Sequence, residues 1–133
     1  MVDFNLRELS ASVESLRPEV DAAYKRLDAK WDEIASELKK LPIPCAVGFT
    51  YSERYGHPED YNRLEWKKWS GKKRICIVYY RWDHNPITGE DTEETTIPYD
   101  EWSAEQRLEM LEHVPNLFAS AIEQVNEFVN KTK

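Results

Sequence analysis

Four glycines in 133 residues are too few, and too scattered, to build a phosphate-binding loop. Gly48, Gly56, Gly71 and Gly89 each stand alone, and no Gly-x-Ser-x-Gly elbow is present for a nucleophilic serine. Cysteine is also scarce. Cys45 and Cys76 lie in apolar, strand-like runs, so two buried, reduced thiols are expected rather than a disulfide framework. The three histidines form no His-x-x-x-His, and Cys-x-x-Cys is missing, so neither a metal nor a cofactor is expected. Long apolar runs are missing as well. The longest uncharged stretch, Leu41 to Ser52, contains two prolines and is too short to cross a bilayer. Asp3, Arg7 and Glu8 fall where a secretory leader needs an apolar core, and the resulting expectation is a cytoplasmic protein with no membrane partner.

What the chain does have is charge and aromatic mass. Charged residues make up 32% of it, the net charge is −7, and five Trp with seven Tyr supply ample material for a core. A single domain over residues 1–133 is expected. A negative chain of this kind has no general attraction to nucleic acid or anionic lipid. The segment from Arg63 to Arg81 nevertheless holds seven basic residues against Glu65 alone.

Apolar residues recur at Leu6, Leu9, Val13, Leu16, Val20, Ala23, Leu27, Trp31, Ile34, Leu38 and Leu41. Steps of three and four alternate, apart from one repeated four around Leu27–Trp31, which is the signature of an amphipathic helix. The stripe stays in phase across Pro18, so a kink or two nearly collinear helices are expected there. Leu41-Pro42-Ile43-Pro44 ends the helix, because a residue before proline is driven toward extended geometry.

Alternation with a period of two then marks strands at Cys45–Ser52, Arg63–Trp69, Lys73–Trp82 and Glu93–Tyr99, with His84–Thr92 expected as a long connection. Pro98 suits an edge strand. Ser103-Ala104-Glu105-Gln106 has the form of a capping box, and Pro115 opens a last helix with Leu117, Phe118, Ala121, Ile122, Val125, Phe128 and Val129 on one side. The pattern predicts an α+β fold. It comprises an antiparallel meander of about four strands packed by a long N-terminal helix, kinked near Pro18, and by C-terminal helices in two layers.

A two-residue turn at Ser70-Gly71 sets the register of one hairpin: Trp69 faces Lys72, Lys67 faces Arg74, Glu65 faces Cys76 and Arg63 faces Val78. Leu64, Trp66, Ile75, Ile77 and Tyr79 then form the core face. Arg63, Lys67, Trp69, Lys72, Arg74, Tyr80 and Trp82 collect on the other, a candidate binding face in which cations alternate with rings.

Three functional readings follow. The leading one is a non-catalytic binding or protein-interaction module, with a homodimer or protein partner held through the N-terminal helix. The second is single-stranded nucleic acid or a phosphorylated ligand bound on the cationic aromatic face. The third is an enzyme whose site lies between the His57 and His84 loops. Neither His57, Glu59 and Asp60 nor the acidic run Glu90–Glu94 has the spacing of a metal motif, and His113 is expected to serve a helix C-terminal dipole.

Overall fold

A computed structural model of the chain describes residues 3–53, 58–87 and 89–133, without the side chains of residues 84, 85, 90 and 91. It is an α+β fold. Helix α1 spans Leu6–Glu14 and α2 Arg17–Lys40, followed by strands β1 (Val47–Glu53), β2 (Tyr61–Trp69), β3 (Lys72–Asn85) and β4 (Gly89–Pro98), then α3 (Ala104–Met110) and α4 (Val114–Lys131). The strands pair antiparallel in the order β1-β2-β3-β4, a meander with Pro98 on the edge strand.

The turn at Ser70-Gly71 has both residues at positive φ, 52° and 88°, as a primed two-residue hairpin turn requires. It sets Trp69 opposite Lys72 and Glu65 opposite Cys76. One face of the sheet is therefore apolar, with Leu64, Trp66, Ile75 and Ile77 buried. Helix α2 lies on β3 and α4 on β1, and Trp31, Ile34, Leu38 and Leu117 fill the space between the layers. The capping box forms as expected: Ser103 Oγ accepts from the Gln106 amide and Gln106 Oε1 from the Ser103 amide, at 3.2 and 3.0 Å.

Two expectations are corrected. The segment His84–Thr92 is not a long connection. The β3–β4 hairpin continues through Trp82↔Thr92, Asp83↔Asp91 and His84↔Glu90 to close at Asn85↔Gly89. The backbone ladder, which any residue except proline can join, outweighs the polar side chains on this overhang. The long N-terminal helix packs on the core only from Leu27 onward, and is buried from Trp31. Every residue from Asp3 to Arg26 is exposed, on all sides of the helix.

Gly48 is needed for close approach rather than for a turn. A Cβ there would stand 2.7 Å from Glu65 Cγ and 2.7 Å from the Leu64 carbonyl oxygen. The carbonyl belongs to the paired strand and cannot move aside. Gly48→Ala is therefore expected to cost about 1–3 kcal/mol by forcing β1 and β2 apart, read as a lower urea midpoint at unchanged m-value; an unaltered midpoint contradicts it.

Candidate functional sites

The outer face of the sheet is the first site to test against its chemistry. The structure brings Arg63, Lys67, Trp69, Lys72, Arg74, Tyr80 and Trp82 onto that face, because all of them share the strand parity opposite to Leu64 and Ile75. Their charges are largely answered from within. Glu65 takes Arg63 at 2.8 Å and Lys67 at 3.2 Å, Lys67 also reaches Glu94 at 3.6 Å, and Arg74 pairs with Asp100 at 3.3 Å. Glu65 keeps only 12% of its side chain in water and Lys67 16%, so these pairs are better screened from solvent than ordinary surface pairs.

The stems of these side chains roof the middle of the sheet, where Cys76 and Val78 are fully buried although they point outward. Lys67 Nζ also sits 5.6 Å from the Trp69 ring centroid, and Tyr61 stacks on Tyr80 at 4.6 Å. Trp69 and Lys72, at the turn end, are the most open members of the set, while Trp82 is half-buried opposite Thr92.

A second depression, of about 460 Å³, lies at the far end of the inner face. Tyr51, Asn62 and Tyr79 come from the sheet, and Gln106 and His113 from the helical segment after it. The His113 ring lies 4.9 Å from Tyr51, and Gln106 Nε2 donates to the Tyr79 hydroxyl at 3.1 Å. Burial, with the Tyr79 and Glu109 side chains adding to it, holds the Tyr51 phenol well above the usual tyrosine range. Tyr51 is thus a hydrogen-bond donor at any physiological pH, and not a base. Asn62 Oδ1 is buried there with no partner among the described residues. Sequence reasoning missed this group because its members are scattered from β1 to α4 and no spacing links them.

His113 itself departs from expectation. The turn Leu111–His113 runs directly into α4, so His113 stands at a helix N-terminus and packs against Tyr51, instead of serving a C-terminal dipole. The reading built on His57 and His84 falls outside the described residues, since residues 54–57 and the His84 side chain are not among them. Among the described residues, no three His, Cys, Asp or Glu side chains converge as metal ligands would. No helix there is long and apolar enough to cross a membrane.

The third site is the helical arm. Leu6, Leu9, Val13, Leu16 and Val20 are between 47% and 71% exposed, and Phe4 and Tyr24 flank them at 67% and 50%. Asn5 caps α1 by accepting from the Arg7 and Glu8 amides. Ser15 and Leu16 keep right-handed helical dihedrals, so α1 passes into α2 just before Pro18 without losing its helical phase. Where the arm meets the body, α2 and α3 bound an open apolar groove of about 720 Å³, with Val20, Ala23 and Leu27 on one wall and Leu108 and Leu111 on the other. Leu108, on the α3 wall, is 66% exposed.

Comparison with protein-family models, with curated proteins and with solved structures finds no match to this chain.

Both cysteines are free thiols, one half-buried and one fully buried. Burial, ahead of the neighbouring charges, pushes the Cys76 thiol from 9.0 up to about 11. Iodoacetamide at pH 8 is therefore expected to label Cys45 in the folded protein and Cys76 only in urea; equal labelling without denaturant contradicts the burial of Cys76 beneath its roof. The sign for stability follows from the same shift. The native state holds the Cys76 proton more tightly than the unfolded chain does. Its contribution is complete below about pH 9 and is lost as pH rises through about 11.

Proposed function

We propose that this chain is a protein-interaction module, without catalysis of its own, whose docking element is the apolar face of α1 and the first half of α2. One observation carries the reading: an amphipathic stripe, Leu6 to Val20, stands about half or more in water along its whole length among the described residues. Helices of this kind owe most of their stability to packing of the apolar face, and a nine-residue segment such as α1 is marginal without it. Full burial of one Leu or Val side chain is worth about 1.5–3 kcal/mol. Five such side chains left half in water leave roughly 4–8 kcal/mol unrealised on the arm, enough to offset part of an association cost of about 4–15 kcal/mol. A partner that supplies an apolar face recovers it.

The outer sheet face supports the alternative less well. A single-stranded nucleic acid or a phosphorylated ligand would have to displace Glu65, Glu94 and Asp100 from the cations they already hold. The arm needs no such exchange. Its stripe is open as it stands.

The test is directional. A photo-crosslinking side chain at Val13, on the stripe, is expected to form protein adducts several-fold more efficiently than the same group at Ala11, on the opposite side of α1, when irradiated in cells that make the protein. Equal adduct yields at the two positions remove the docking reading.

A further inference from the structure

We propose that the occupant of the stripe is a second copy of this chain, running antiparallel, so that α1 of each copy lies in the groove between α2 and α3 of the other. The inference rests on the docking reading above and names its partner. Along the arm, Leu6, Val13, Val20 and Leu27 alternate with Leu9, Leu16 and Ala23 in steps of three and four, an unbroken heptad seam. The break in phase comes only between Leu27 and Trp31, and it coincides with the change from exposed helix to core. The heptad pattern therefore covers the exposed part of the helix up to the groove beside α3, and the sheet-facing residues follow a different phase.

This seam is complementary to its own reverse. With a two-fold axis between Glu14 and Ser15, Leu6 meets Ala23 of the second copy, Leu9 meets Val20, and Val13 meets Leu16. The flanks agree. Glu14 and Arg17 keep the ion pair they already make within each copy, and across the seam Ser10 faces Arg17 while Ser12 and Asn5 face Glu19 and Arg26, so no like charges meet. The neighbouring register, one heptad along, would set Glu19 against Glu19 and Arg17 against Arg17. The axis also falls at the junction of α1 and α2, where the Leu16 amide donates to the Val13 carbonyl in a tight turn.

The groove decides the direction. Helix α1 is a bare rod with no buried residue, whereas Val20–Leu27 of α2 carries α3 beside it. Parallel copies would bring two α2–α3 pairs to one seam and crowd it. Antiparallel copies seat the bare end of one arm, Phe4, Leu6 and Leu9, between Val20, Ala23 and Leu27 on one wall and Leu108 on the other, which covers the exposed leucine of α3 as well.

Engineered cysteines in a Cys45→Ser background distinguish the arrangements. Leu6→Cys with Ala23→Cys is expected to yield a disulfide-linked dimer under mild oxidation, and either substitution alone is expected to yield none. Light scattering on the unmodified chain is expected to give twice the monomer mass at tens of micromolar. Leu108→Glu, which alters an exposed side chain, is expected to weaken the dimer at least tenfold while leaving the unfolding midpoint of the dissociated chain unchanged. Cross-linking by Leu6→Cys alone, the mark of a parallel pair, overturns the proposal. So does a strict monomer across that range. If such a monomer still forms adducts through Val13 with a different protein, the second copy is refuted and the docking reading stands.

Discussion

Trp31 is the point at which a surface helix becomes part of the body, and the geometry of both depends on how it is held. Its ring is fully buried and packs edge-to-face on Trp102 at 4.9 Å, while its indole N–H donates to the Arg107 carbonyl at 2.9 Å. Arg107 pairs with Asp28 one turn earlier, and the Tyr99 hydroxyl donates to Asp32 at 3.0 Å. This cluster ties α2 to α3 and to the segment that precedes it, by two aromatic rings, a carbonyl and two carboxylates. It fixes the direction in which the arm leaves the body. It also sets α3 beside α2 at the distance that opens the groove. The arm and the groove are thus two consequences of one anchor.

The two faces of the sheet solve different problems. The inner face is closed by helices, as half-buried antiparallel sheets require. Among the described residues no helix packs on the outer face, and long charged side chains cover it instead. Glu65 lies at its centre, holding Arg63 and Lys67 from one strand, while Glu94 from β4 also reaches Lys67 and Asp100 just beyond it takes Arg74. Neutralised in this way, the sheet stays wet on one side without presenting a strongly charged surface.

The hairpin was legible because its information is local. Ser70-Gly71 dictates a register, the register dictates which residues share a face, and Leu64, Trp66, Ile75 and Ile77 are found inside, with Arg74 on the opposite side from Ile75. The neutralisation of the basic segment was not legible. It depends on β4 lying beside β3 so that Glu94 can reach across to Lys67, and strand order is not written in any short stretch of residues. The same limit hid the meeting of Tyr51 with His113. The repeated step of four at Leu27–Trp31 was visible as a flaw in a zipper. Its meaning as a boundary between two packing partners emerges only once Trp31 is seen buried and Arg26 exposed.

The central claim is that boundary: among the described residues the helix is exposed up to Arg26, and from Trp31 it is core. Amide hydrogen exchange in dilute protein, below the concentration at which copies associate, tests it most directly. The account predicts fast exchange from Leu6 to Arg26 and slow exchange from Trp31 to Leu38, with a steep change between. Protection that is equally strong on both sides, at the same dilution, would show that the chain covers its own arm.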